Sequence, residues 1–459
     1  MRNALNFNSS PSTILHIDLN SCFATIEQQA NPHLRGKPVA VAAYTTPSGC
    51  IVAPSIEAKS LGIKVGMRVK DGRAIYPNLI VLPPDPWKYR NVHLALRELL
   101  SGYTPDITPK SIDEFVLDFG KISNFQFPIS NQFTNYQIDK LKTNWKLETG
   151  NLRLREVALE IKQRIKAEIG DWLTVSVGIA PNRYLAKLAS SLHKPDGLDE
   201  INRDNFLDCY LKLKLTDLPY IKARNSIRLN NMGIFTVLDF YNAPLWKLKA
   251  AFASINGYYW YLRLRGLEID NVGFARRSYG NSYALPKPLS TLEELSPILS
   301  KLVEKTGFRL RRAGYSARGV HTAVGYRDGS FWHKGVSFPE NLFDSRNIYR
   351  KALGILAMSP YRKPVRDLAV SVFDLKKKSE LQLDIFEDVL RKKSLVDAVD
   401  AVNERWGNFV ITPARMLLGE KEMVPDRIAF GGVKELEEFT LQDTNIPMDT
   451  NRVRLDEWC

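Results

Sequence analysis

Through the first 182 positions, short apolar runs alternate with segments in which apolar residues recur every three or four positions. Residues 14–19 (Ile14, Leu15, His16, Ile17, Asp18, Leu19) are mostly apolar and read as a strand that ends in an acid. Asn20 or Ser21 follows as a candidate cap for a helix carrying Cys22, Phe23 and Ile26. Residues 38–42 and 49–53 read as a second and a third strand, and 55–61 as a short helix closed by Gly62. In residues 88–102, Val92, Leu96, Leu99 and Leu100 recur at helical spacing. Residues 111–119 read as a turn entering a strand, 153–169 as an amphipathic helix and 173–180 as a strand. Pro181 and Asn182 then open a helix over 183–192. Strands mixed with helices imply an α/β layer. From 200 to about 265 the pattern is mainly helical. Strands and helices mix again over 278–375, followed by a charged stretch, a helix near 394–406 and a tail. Residues 121–152, rich in Asn, Gln, Thr and Phe without clear periodicity, read as a loop insertion. The expected class is an α/β (α+β) multidomain protein.

Charge adds a partner to this outline. The 459 residues hold 64 Lys and Arg against 50 Asp and Glu, a net +14 with pI near 9.4. The excess is uneven: residues 420–459 carry 5 basic and 10 acidic side chains, which leaves the first 419 with +19. A basic body suggests a polyanionic partner, although a merely soluble basic protein has the same balance. The four cysteines, Cys22, Cys50, Cys209 and Cys459, are far apart and form no C-x-x-C pair, which argues against a disulfide framework and structural zinc. Residues 1–13 lack the apolar centre of a signal peptide, and no run of about 18 apolar residues exists. A soluble, cytoplasmic protein in a reducing compartment is expected.

The candidate chemistry lies in three acids. Asp18 closes one apolar strand and Asp113-Glu114 opens another, so pairing of those strands would gather all three at one place. Two-metal phosphoryl transfer needs two hard cations about 3.5–4 Å apart, bridged by carboxylates, and Mg²⁺ takes oxygen ligands together with substrate phosphates. Adjacent Asp113 and Glu114 would point to opposite faces of a regular strand, so both reach one site only from a turn, which Ser111 makes plausible. Any one strand-end acid, taken alone, is more often a solvated loop residue. Asp118 reads as a structural or surface acid. Arg183, Lys187 and Lys194 fall roughly on one helix face and suit phosphate, as does Lys59 on the short helix. Residues 178–182 deliver a helix N-terminus, which attracts anions.

The order of motifs resembles the Y-family (UmuC/DinB-type) translesion DNA polymerases. The resemblance rests on Ile17-Asp18-Leu19-Asn20-Ser21-Cys22-Phe23, on Glu57-Ala58-Lys59-Ser60-Leu61-Gly62, on Ser111-Ile112-Asp113-Glu114, and on Ser176 to Ser190 followed by Lys194-Pro195-Asp196-Gly197. It implies a palm (1–24 and 83–182, with the insertion at 121–152), fingers (25–82), a thumb (183–265), a little finger (275–376) and a C-terminal tail (377–459). It also implies two Mg²⁺ ions on Asp18, Asp113 and Glu114 with the carbonyl of Leu19. Phe23 takes the place of a steric gate against a ribose 2′-OH, and Lys59 and Arg183 that of triphosphate contacts. Lys187, Arg309, Arg311, Arg312 and Arg318 would suit a DNA backbone without reading sequence. Gln382, Leu383, Ile385 and Phe386 resemble a bacterial sliding-clamp-binding peptide. The implied partners are primer–template DNA, deoxynucleoside triphosphates, the clamp and a UmuD-like accessory subunit.

The chain departs from the pattern in two places. Ile56 stands where many members place a Tyr and Lys59 where they place an Arg, which removes one phosphate hydrogen bond; Glu-Ala-Lys there leans toward the UmuC-type branch, with modest activity. Residues 216–222 lack the glycines of a helix-hairpin-helix, so weaker phosphate contacts are expected in the thumb. Two other readings stay open. A catalytically silent, polymerase-like adaptor at the clamp would typically have lost metal carboxylates. A two-metal nuclease would leave Phe23 and the fingers motif unexplained.

Overall fold

The computed structural model describes residues 5–120, 150–272, 276–377, 389–406 and 409–418. The segment 121–149, the clamp-like peptide at 382–386 and the tail beyond 418 lie outside the described residues. The chain divides into two compact units, one on either side of residue 273.

The first unit begins with β1 (Ile14–Leu19) and α1 (Cys22–Ala30), then β2 (Val39–Ala42), β3 (Ile51–Pro54), α2 (Ile56–Ser60), α3 (Val69–Ile75), β4 (Ile80–Leu82) and α4 (Pro86–Ser101). Next come β5 (Ile107–Pro109), β6 (Glu114–Asp118), α5 (Gly150–Arg164), β7 (Val175–Ala180), α6 (Arg183–Ala189) and β8 (Leu198–Glu200). The main sheet runs β5-β6-β1-β7-β8, with β1 antiparallel to both neighbours. Because side chains alternate across a strand, one face buries Leu15, Ile17, Leu19, Phe115, Leu117 and Val177 in a core that also takes Val92 and Leu96 of α4 and Ile161 of α5. The other face carries His16, Asp18 and Glu114. Strands β3-β2-β4 form a second, three-stranded sheet with its own core around Ala40, Ile51, Ile63 and Leu79. The sequence pattern missed α3 and β4, which are short.

The helical part comprises α7 (Phe206–Lys212), α8 (Ala223–Asn230), α9 (Val237–Asn242), α10 (Leu245–Phe252) and α11 (Asn256–Arg263). Phe206, Tyr210, Phe240, Phe252 and Trp260 form its core together with Leu185 and Leu188 of α6. Helix α6 also packs on β7 and β1, and β8 joins the main sheet. The expected boundary at 182/183 therefore cuts through a packed layer, because Gly178 lets α6 lie directly on the sheet. A Cβ on Gly178 would stand 2.0 Å from the Ala186 carbonyl oxygen.

The second unit is one antiparallel sheet, β11-β10-β12-β9, built from β9 (Ser278–Leu289), β10 (Tyr315–Tyr326), β11 (Phe331–Leu342) and β12 (Val365–Lys377). Helices α12 (Leu292–Arg312) and α13 (Ser345–Leu356) cover one face, where Leu299, Val320, Ile348 and Val370 meet. A last helix, α14 (Val389–Trp406), follows. Among the described residues no helix is long and apolar enough to cross a membrane.

Candidate active site

Asp18 and Glu114 are direct cross-strand partners in the β1–β6 ladder, so both carboxylates project from the same face. Asp113 reaches the same end from the bend before β6, as the turn reading required. Its carbonyl accepts from the Leu19 amide at 2.9 Å, and its carboxylate accepts from the Ser111 hydroxyl at 2.5 Å. Asn20 ties the rim together. Its side chain donates to Ser176 Oγ (2.9 Å) and accepts from Thr174 Oγ1 (3.1 Å) and from the Asp196 amide (2.8 Å). The turn carrying Lys194 is thereby held beside Asp18. Ser21 occupies the N-cap of α1, but its backbone is left-handed (φ 51°) and its hydroxyl makes no capping bond, so capping by Ser21 does not occur.

Lysines hold two of the three acids. Lys194 lies 2.6 Å from Asp18, and Lys187 donates to both oxygens of Glu114 at 2.6 and 2.5 Å. Burial, opposed by Lys194 and reinforced by Glu114 and Asp113, pushes the Asp18 carboxyl up to about 6. Burial also raises Asp113, against the hydrogen bond from Ser111. For Lys187 burial works against the charge, but Glu114 outweighs it and holds the ammonium above the usual lysine range. His16, fully buried 3.8 Å from Glu114, is kept well below the ordinary imidazole range by burial and then by Lys187 and Lys194. Lys59 is exposed on α2; partial burial and then the charge of Lys194 lower its ammonium, while Asp18 and Asp113 act the other way.

The donor set suits a hard divalent cation. It offers carboxylate oxygens at one strand end, with the charge of Asp18 and Asp113 disfavoured by burial, a cost that a cation would offset. Among the described residues no three His, Cys, Asp or Glu side chains converge as a ligand cluster; Lys187 holds Glu114, Lys194 holds Asp18 and Ser111 donates to Asp113.

Phe23 lies on α1, buried and stacked on Tyr89 with ring centroids 4.3 Å apart. Tyr89 donates to Glu27 Oε1 at 2.8 Å, and Lys88 holds the other oxygen of that carboxylate at 2.8 Å. The ring is therefore backed by a second ring that a hydrogen bond fixes in place.

Four expectations need correction. Arg183 lines the same cavity as Glu114, but its guanidinium is already engaged, buried against Asp118 (2.9 Å) and Glu268 (3.1 Å), which makes Asp118 a structural partner. The N-terminus of α6 is not open to an anion, because Asn182 caps the Leu185 amide and Glu268 accepts from the Arg183 amide. Lys194 does not share a helix face with Lys187, since α6 ends at Ala189. On the second unit the arginines do not form one patch. Arg311 is buried and paired with Asp400 through two contacts of 2.6 and 2.7 Å. Arg309 donates to the Gly280 carbonyl and Asn281, Arg318 to Asn341, and Arg312 is exposed at the end of α12.

Comparison with known proteins defines the class. A Y-family DNA polymerase chimera of Dbh and Dpo4 matches with a TM-score of 0.65 and 24% identity, over 79% of this chain and 98% of that one. The fold is thus the palm, fingers, thumb and little-finger arrangement of that family. The impB/mucB/samB family model matches residues 17–191, and the C-terminal domain model of the same family matches 276–385. A DNA polymerase IV of Moorella thermoacetica is 31% identical over 90% of this chain and 98% of its own length. One of Pelotomaculum thermopropionicum is 30% identical over 88% and 96%. The chain belongs to the impB/mucB/samB family.

Proposed function

We propose that this chain is a DNA-directed DNA polymerase that carries out translesion synthesis, with Asp18, Asp113 and Glu114 as its catalytic carboxylates. The observation that carries the reading is the pairing of Asp18 with Glu114 on one sheet face, with Asp113 turned toward the same end, in a chain 31% identical to a DNA polymerase IV along nearly its whole length. The silent-adaptor reading loses ground to the intact trio of acids.

The three carboxylates and the Leu19 carbonyl would hold two Mg²⁺, which when bound supply Lewis acidity to the primer 3′-oxygen and neutralise charge on the triphosphate. The 3′-hydroxyl gives its proton to solvent water, its oxygen forms a bond to the α-phosphorus as the bond to the bridging oxygen breaks, and pyrophosphate leaves. Lys194 and Lys59 flank this end of the palm and would take up charge on the triphosphate and leaving group. Lys194 thus fills the role first assigned to Arg183. Phe23, held rigid by Tyr89, would clash with a ribose 2′-OH and select deoxynucleotides by repulsion. Arg312 and the partly buried Arg309 and Arg318 would contact phosphates without reading bases.

Residues 382–386 are proposed to dock on a bacterial sliding clamp, and a UmuD-like subunit remains a candidate partner. A cytoplasmic place in the response to DNA damage goes with this reading. Primer extension past a template abasic site tests it. The wild-type chain with Mg²⁺ inserts opposite the lesion and extends beyond it; binding of the primer–template without any extension would return the adaptor reading.

A further inference from the structure

Lys187 belongs to two sites at once. Its ammonium holds both oxygens of Glu114, and it lines a cavity of about 480 Å³ between the palm sheet and the thumb helices. The cavity wall is cationic and aromatic. Lys110 comes from the palm, and Tyr220, Arg228 and Trp260 come from the thumb. Other cations on the wall are already satisfied: Arg183 by Asp118 and Glu268, Arg263 by Asp270 at 2.5 and 2.8 Å. Among the described residues no ion pair within 4 Å engages Lys110 or Arg228, although Glu268 and Asp270 favour the Lys110 charge from farther off. Burial and then the charge of Arg183 lower the Lys110 ammonium. The wall carries Lys110, Arg183, Lys187, Arg228 and Arg263 against two carboxylates, Glu114 and Asp270, and Asp270 is already taken by Arg263, so the cavity favours an anion and Glu114 is the carboxylate that answers Lys187.

We propose that Lys187 is a positioning residue that exchanges Glu114 for a phosphate group bound in this cavity, and so frees the Glu114 oxygens to ligate metal only when nucleic acid or nucleotide is present. The inference rests on the polymerase reading and adds a coupling to it. Lys187 reaches Glu114 from one end of a flexible four-carbon stem, and its Nζ lies 5.9 Å from the Tyr220 ring centroid, so a rotamer change moves the charge from one site to the other without moving the backbone. The coupling is reciprocal: what draws Lys187 into the cavity raises metal affinity, and bound metal raises affinity for the phosphate.

Mn²⁺ binding to the full-length chain, followed through the spin resonance of free Mn²⁺, tests this without reference to turnover. Wild type should bind Mn²⁺ weakly alone and at least about fivefold more tightly with a dideoxy-terminated primer–template, a coupling of ordinary size. A gain with DNA alone assigns the phosphate to the DNA backbone; a gain only with deoxynucleoside triphosphate assigns it to the nucleotide. Lys187→Met, or Lys187→Gln should the first fail to fold, should bind Mn²⁺ without DNA as tightly as wild type does with it. Lys187→Arg should restore the wild-type dependence. Unchanged DNA-free affinity in folded Lys187→Met, or an undiminished DNA-dependent gain in it, would overturn the coupling. An Asp113→Ala/Glu114→Ala protein that binds Mn²⁺ normally would instead sink the polymerase-site reading itself.

Discussion

Two regions of this molecule bury acids against bases, and they do so in opposite ways. In the second unit Arg311 is held from every side: by both oxygens of Asp400, by the Phe343 carbonyl at 2.9 Å and by Ser345 at 3.1 Å. In the first unit Asp18 and Asp113 are largely withdrawn from solvent with less compensation, so both hold their protons more tightly than ordinary aspartates. Like acids are set beside one another there, and long lysines answer them in place of a planar, two-point guanidinium. A saturated pair fixes structure, whereas a strained cluster is available for exchange with cations and phosphates. Both regions suggest function when read as sequence; only their partners tell them apart.

The comparison breaks most visibly at Arg311. Arg311→Ala leaves half-buried Asp400 without its partner and removes the hydrogen bonds to Phe343 and Ser345, which should cost about 1.5–3 kcal/mol, measured by urea unfolding of the full chain, while DNA affinity of the folded protein stays unchanged. Loss of DNA binding with stability intact would make Arg311 a phosphate contact after all.

A smaller effect sharpens the other side. Asp18 has a folded value of about 6 against an ordinary 3.8, so the stability it contributes is present below the ordinary value and is lost as pH rises through about 6. Mg²⁺ engages the ionised form. Its stabilisation should therefore be nearly absent at pH 5 and grow to about 1–3 kcal/mol by pH 8, read as a shift in thermal midpoint. A Mg²⁺ shift independent of pH would contradict the placement of Asp18. The smallest effect is expected at exposed Arg312. Arg312→Ala should change stability by no more than about 0.5 kcal/mol and reduce the salt slope of DNA binding by about 1.

Much of the palm was legible because its signal is local. Apolar strands ending in acids carry their own period, and Ser111 marked the turn that brings Asp113 and Glu114 to one end of the sheet. Over 278–375 only the mixture of strands and helices was legible, not the individual elements. The roles of Arg183 and Arg311 were not, since Asp118, Glu268 and Asp400 lie 65, 85 and 89 positions away and no periodicity announces such a pairing. Lys194 was grouped with the wrong helix face because α6 stops at Ala189, after less than two turns, where the pattern suggested it continued to 192. The lysine contacts on Asp18 and Glu114 depend on the Asn20 network and on Gly178, whose consequences appear only once strand and helix are packed.

The most direct measurement of the central claim is the single-turnover rate of nucleotide addition to an undamaged primer–template with Mg²⁺, for wild type beside the Asp113→Ala/Glu114→Ala protein. If these carboxylates carry nucleotidyl transfer, the double variant folds, binds DNA and adds nucleotides on the order of 10³-fold more slowly or not at all, about 4 kcal/mol or more of barrier. Equal rates from the two proteins would place the chemistry elsewhere and contradict the account.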